Sequence, residues 1–222
     1  NKILTPQQDD IILYFGNDFK NQVKRIVAEP GDTIFIKNGD LYVNSKKIIY
    51  RNQINKYRIN SYNDSVTKVI LKEFLSKEQR NFNQNNFLLL LTPIQSKKIS
   101  KYKDVTLNKF VIDSSFIDDK IICLEEISGR NSDFFGPIIV PSKGMKINLN
   151  LKKYINFEKF LLLTENKKEL VQFKNSLKNN TEYTIKENYF FVLNDNRSNS
   201  NDSRKFGFIP QKNIIGVAIR KF

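Results

Sequence analysis

The sequence predicts a mostly β protein: an antiparallel β core assembled from the two ends of the chain, with a less regular β/α region inserted between them. Three observations carry this expectation. Short runs rich in Ile, Val, Phe and Tyr recur through the first fifty residues with turn residues between them. Pro30-Gly31-Asp32 and Asn38-Gly39 stand where such a chain must reverse. The last forty residues return to the same alternation of apolar run and polar turn.

Residues 10–15, 23–28, 33–37, 41–43 and 47–50 are the strand candidates. Pro30 fixes its φ and Gly31 can take the positive φ that a type II turn requires. Asn38-Gly39 lies between Thr33-Ile34-Phe35-Ile36-Lys37 and Asp40-Leu41-Tyr42-Val43, the pattern of a two-residue hairpin. From about residue 51 to 180 the signals weaken. Helical spacing is expected over residues 69–79 and again over 157–177, where Phe157, Phe160, Leu161, Leu170, Phe173 and Leu177 share a period. Residues 134–148 return to strand and turn, and their two prolines argue for edge or connecting positions. Residues 189–193 form an apolar strand candidate, followed by the polar loop of residues 194–204 (NDNRSNSNDSR). Phe206-Gly207-Phe208-Ile209-Pro210 closes the loop and residues 214–219 form a last strand. A polar loop tied down by apolar strands is where functional groups tend to sit, although Asn, Asp and Ser are equally ordinary in solvated turns.

With 222 residues, 40% of them hydrophobic, the chain can fill a core. Its 37 Lys and Arg exceed its 23 Asp and Glu, for a net charge of +14. These basic residues are spread along the chain without a nucleic-acid-binding motif, so no nucleic-acid partner is expected; a positive face suits anionic lipid headgroups instead. The absence of histidine removes Ser-His-Asp and Cys-His mechanisms and His-containing zinc sites. The single Cys123 forms no intrachain disulfide, and within Ile121-Ile122-Cys123-Leu124 it reads as a small buried hydrophobe. Neither a metal nor a cofactor is expected. No apolar run approaches the roughly 20 residues of a membrane-spanning helix. The chain opens on Asn1 with no targeting pattern, so an upstream part carrying the anchor is expected to precede it.

Two longer motifs give these elements a family. Gln22-Val23-Lys24-Arg25-Ile26-Val27-Ala28-Glu29-Pro30-Gly31-Asp32 resembles the "KRxxxxPGD" box of type I signal peptidases, and Asp10-Ile11-Ile12-Leu13-Tyr14-Phe15 resembles that family's "GDIVVF" strand. Residues 189–218 (YFFVLNDNRSNSNDSRKFGFIPQKNIIGVA) are similar to its C-terminal box "YFxxGDNRxNSxDSRxWGxVPxxxIxGxA", and Tyr42-Val43-Asn44 resembles part of "GxxYVNG". The boxes follow the family's order. The segment from Phe135-Gly136-Pro137 onward is similar to larger members from Bacteroidetes-like bacteria. Asp9, Ala28 and Asn194 stand where the family has Gly, and Phe206 where Trp is common. None of these changes removes a group that does proton chemistry. At Asn194 a Gly would permit positive φ, which Asn tolerates better than other side chains. The family's "SMxPT" box, several tens of residues before the strand box, is not in the sequence.

The resemblance implies a serine endopeptidase that removes signal peptides from exported proteins after an A-x-A-like site. It would act by a Ser-Lys dyad on the outer, periplasmic side of the bacterial inner membrane, held there by an N-terminal anchor and by its basic surface. Lys24 matches the general base and Ser200 the hydroxyl that orients its amine; Ser198 and Ser203 are less favoured in that role. A lysine serves as base only if its pKa falls from about 10.4 toward neutrality, and burial lowers it by up to about 3–5 units. On a strand, Ile26 shares the face of Lys24 and Val23 takes the other; the competing reading of Lys24 is a strand lysine in solvent. Val23 matches a substrate-pocket wall. Asp202, Arg204 and Arg25 match a charged cluster that supports the site, while Asp195, Asn196 and Arg197 build the loop through side-chain to backbone hydrogen bonds. The catalytic core is expected in residues 1–45 and 185–222, with 46–184 as the insertion. The nucleophile is expected before Asn1, leaving the fragment inactive alone. The alternative is a catalytically silent relative serving as a binding or accessory subunit. A self-cleaving repressor of the same clan would need a DNA-binding domain, of which there is no sign.

Overall fold

Pro30-Gly31 and Asn38-Gly39 shape the first part of the chain as their chemistry dictates. The Asp32 amide donates to the Glu29 carbonyl at 3.1 Å, and Gly31 takes a φ of 92°, giving the type II turn. Asn38 and Gly39 have φ of 53° and 67°, both positive as a type I′ hairpin needs. The computed structural model describes residues 5–16, 20–74, 82–83, 86–121, 131–148, 171, 175–176, 178–179, 182–199 and 201–218. Five strands make up its first part: β1 (Ile11–Phe15), β2 (Asn21–Ala28), β3 (Thr33–Lys37), β4 (Asp40–Val43) and β5 (Lys46–Ile48). Across the hairpin, Phe35 pairs with Tyr42 and their rings stack at 4.5 Å.

The middle of the chain supplies β6 (Asn55–Ser61), α1 (Asp64–Phe74), β7 (Phe82–Asn83), β8 (Asn86–Leu91), α2 (Pro93–Ile99), β9 (Val105–Lys109), β10 (Phe135–Ile139) and β11 (Lys146–Asn148). Then follow β12 (Glu182–Thr184), β13 (Tyr189–Leu193), the short α3 (Ser203–Phe206), β14 (Ile209–Pro210) and β15 (Ile214–Val217). Every pairing between these strands is antiparallel among the described residues, so the fold is mostly antiparallel β.

The chain divides into two compact units. The first, residues 1–48, 113–194 and 200–222, holds a five-stranded sheet in the order β14-β13-β2-β1-β15, a four-stranded sheet β10-β3-β4-β5 and the pair β11-β12. Ile12, Tyr14, Ile26, Phe190, Val192 and Ile209 form the core of the larger sheet. β13 has all five residues buried, as a strand hydrogen-bonded on both edges and covered on both faces must. Gly136 shows how closely β10 approaches β3. A Cβ on it would stand 2.6 Å from the Ile34 carbonyl oxygen, and its φ is 79°. Gly136→Ala is therefore expected to cost about 1–3 kcal/mol, read from the shift in urea midpoint.

The second unit, residues 49–112 and 195–199, is a sheet β7-β8-β6-β9 with both helices against one face. Ile59, Ile70, Phe87, Leu89, Leu91 and Ile99 are its buried core. The helix expected over residues 69–79 starts earlier, at Asp64, and runs to Phe74 among the described residues; residues 75–79 lie outside them. The signal for this start is Asn63, whose side-chain oxygen accepts from the amides of Ser65 at 3.0 Å and Val66 at 3.3 Å. α2 opens on a capping box: Thr92 Oγ1 accepts from the Gln95 amide, and the Gln95 side chain accepts from the Thr92 amide. Cys123 and most of residues 157–177 lie outside the described residues.

Candidate active site

The register of β1 against β2 decides where Lys24 points. Lys24 is opposite Ile12, and Val23 is opposite Leu13. Ile12 and Ile26 are fully buried, so Lys24 lies on the core face of β2 and is itself half-buried. Val23 is on the other face and 58% exposed, beside Leu13 at 37%. The strand therefore turns its valine to solvent and its lysine inward, the reverse of what side-chain polarity alone favours.

Arg25 follows on the same face as Val23 but is buried. Its Nη1 donates to the Asp9 carbonyl at 2.8 Å and to the Asp9 carboxylate at 2.7 Å. Asp9 has a φ of 77°, in the left-handed region where Gly is most at home. Of the positions where Asp or Asn replaces the usual Gly, Asp9 is the one that needs positive φ; Asn194 has none. Asp9 was legible only as a departure from a motif, and its partnership with Arg25 joins residues 16 apart in sequence.

The end of the polar loop is held by Asp202, which is fully buried together with Ser203 and Arg204. Asp202 Oδ1 accepts from Arg204 Nε at 2.9 Å and from the Arg204 amide at 3.2 Å, which caps α3. Its Oδ2 accepts from Arg204 Nη2 at 2.7 Å and from the Asn194 amide at 3.1 Å. Four donors on one carboxylate are what a buried anion needs. Ser203 Oγ accepts from the Val192 amide at 2.9 Å, so this serine serves the backbone of β13. Arg204 Nη1 donates to the Ser132 carbonyl at 3.4 Å, a contact between residues 72 apart in sequence that no local pattern signalled.

Residues 195–199 belong to the second unit. The Ile54 amide donates to the Asp195 carbonyl at 2.7 Å and the Arg197 amide to the Ile54 carbonyl at 2.9 Å. The Asn196 side chain accepts from the Ser198 amide at 3.1 Å, and the buried Arg197 guanidinium lies 5.8 Å over the Tyr50 ring. Ser200 lies outside the described residues. Among the described residues no cluster of three or more His, Cys, Asp or Glu could hold a metal ion, and no helix is long and apolar enough to cross a membrane.

A family model described as signal peptidase, peptidase S26, matches residues 1–109 and 139–222. The chain belongs to the signal peptidase family. A signal peptidase I from Buchnera aphidicola subsp. Acyrthosiphon pisum is 32% identical over 120 residues, covering 46% of this chain and 37% of that protein. Another, from Buchnera aphidicola subsp. Baizongia pistaciae, is 28% identical over 220 residues, 98% of this chain and 55% of the relative. The chain thus spans about half the length of the signal peptidase it matches almost from end to end. A crystal structure of a signal peptidase I from Enterococcus faecalis aligns with 98% of this chain and 100% of that one, at a TM-score of 0.36 and 17% identity. Lys24, Arg25 and Asp202 to Arg204 all fall within the residues that the signal peptidase family model matches.

Proposed function

We propose that the protein removes signal peptides from exported proteins as a Ser-Lys serine endopeptidase, with Lys24 as general base. The observation that carries this reading is the half-buried placement of Lys24 on the core face of β2, opposite the fully buried Ile12. An ammonium partly removed from water is easier to deprotonate, and the neutral amine can accept the proton of an attacking serine hydroxyl. The serine oxygen then bonds to the scissile carbonyl carbon, the amine returns its proton to the leaving nitrogen, and water hydrolyses the acyl-enzyme. In this reading Ser200 orients the amine, and the Asp202–Arg204 pair fixes the end of the loop that carries it. Asp195, Asn196 and Arg197 shape the loop's first half, and Arg25 anchors the strand. Val23 forms part of a shallow wall that admits small side chains, as an A-x-A site requires. The substrate lies extended against a strand edge. The protein works on the outer side of a bacterial inner membrane.

The nucleophile in this reading is a serine that precedes Lys24, and no serine of residues 1–222 does so. The purified chain, incubated with a model A-x-A peptide, is expected to give no cleavage above buffer by mass spectrometry. Robust turnover that vanishes on mutating one of the chain's own serines would overturn that placement of the nucleophile.

A further inference from the structure

The helical layer of the second unit carries a basic ridge that the proposed active site does not use. On α1, Thr67 and Ile70 are buried. Helical spacing sets Lys68 and Lys72 on the opposite side, next to Val69 at 48% exposure. On α2, Ile99 is buried, while Lys97 and Ile94, at 57% exposure, face away, and the exposed Lys101 follows just past the helix end. Lys98 joins the two helices: its amine bonds the Glu73 carboxylate and lies 5.7 Å over the Phe74 ring. Glu73 is thereby engaged by Lys98. Among the described residues Lys68, Lys72, Lys97 and Lys101 enter no ion pair.

We propose that this outward face of α1 and α2 docks on anionic lipid headgroups of the phosphatidylglycerol type. Four ammonium groups on one surface, each on a flexible stem and none in an ion pair among the described residues, suit a layer of mobile phosphates. Asp64, one turn before Lys68, is the remaining acid on α1's exposed side. Val69 and Ile94, exposed among them, are placed to enter the headgroup region as the lysine stems reach outward. A nucleic acid would call for guanidinium forks, and neither helix carries an arginine among its described residues. The inference deepens the proposed function only by naming the surface that faces the membrane. It is read without peptide or cleavage, so either idea can fail without the other.

The test is co-sedimentation of the whole chain with vesicles of phosphatidylcholine alone or of roughly 3:1 phosphatidylcholine to phosphatidylglycerol. The parent is expected to bind the mixed vesicles, to lose most of that binding between about 0.1 and about 0.5 M salt, and to leave neutral vesicles unbound. Combining Lys68→Glu, Lys72→Glu, Lys97→Glu and Lys101→Glu should weaken binding about tenfold or more, and the same four changed to Gln should move it in the same direction. Four exposed lysines of the first unit, Lys37, Lys46, Lys120 and Lys143, changed to Glu together, remove as much charge and should weaken it less than about threefold. Equal losses from the two sets would mean that net charge alone acts, and would overturn the proposal. So would equal binding to neutral vesicles, or a ridge variant that loses affinity for single-stranded DNA while keeping the vesicles.

Discussion

If Lys24 is the general base as proposed, replacing it by Met in a form of the protein that carries the serine is expected to abolish cleavage while the fold persists. Met keeps an apolar stem of similar length against Ile12 and Ile26 and removes the amine. A half-buried ammonium contributes little net stability there, so thermal unfolding should occur at the parental temperature or slightly above it. Lys24→Arg should fail as well, because a guanidinium does not deprotonate near neutrality and cannot take the serine proton. The loss should be at least about a hundredfold, the lower end of what general bases contribute. The parental rate should rise with pH as the amine loses its proton. Turnover and melting temperature of the three proteins, measured side by side, decide the matter. A folded variant with near-parental cleavage would remove Lys24 as the base and Ser200 as its partner.

The second large effect is expected at Asp202. Asp202→Asn leaves the Arg204 guanidinium, 1% exposed, beside a neutral amide and takes one acceptor from the Asn194 amide or from Arg204. Breaking one side of a buried pair costs about 3–5 kcal/mol. Arg204→Met should cost a similar amount, because it strands a fully buried carboxylate. The double variant should be far less unstable than the sum of the two, since neither charge is then left alone. Urea unfolding of the four proteins measures this coupling. If the single changes each cost less than about 1 kcal/mol, the pair behaves as a solvated one and does not hold the loop.

What was legible in the sequence was mostly local. The two turns could be read because Pro30-Gly31 and Asn38-Gly39 fix their own backbone angles, and β1 to β4 follow from alternation between such turns. That Lys24 shares a face with Ile26 and not with Val23 was also legible from a period of two, whereas a solvent-facing lysine stayed open until the register against Ile12 decided it. The second unit was not legible. β6 (Asn55–Ser61) spells Asn-Lys-Tyr-Arg-Ile-Asn-Ser, and only Ile59 in it is a buried apolar side chain, so the strand shows no clean alternation. Its place depends on pairing with β8, which is distant in sequence. The start of α1 is not legible from apolar spacing, because its signal is the Asn63 cap rather than a periodic apolar residue. At the site, Asp202 and Arg204 are two residues apart and their partnership could be read from the motif. The Asp9–Arg25 pair could not, because it rests on a left-handed backbone and a contact between strands. Ser200 was reached through the family resemblance, with no local signal of its own.

The bond from the Val192 amide to the Ser203 hydroxyl also has a use at the bench. In a fully buried strand, most amides exchange with deuterium only when the whole unit opens. The Val192 amide is held by a side chain from the far end of the polar loop, so it is protected only while residues 202–204 are seated. One backbone signal therefore reports loop seating continuously. Compared with its neighbours Phe191 and Leu193, it distinguishes a loop that lifts away from a sheet that melts.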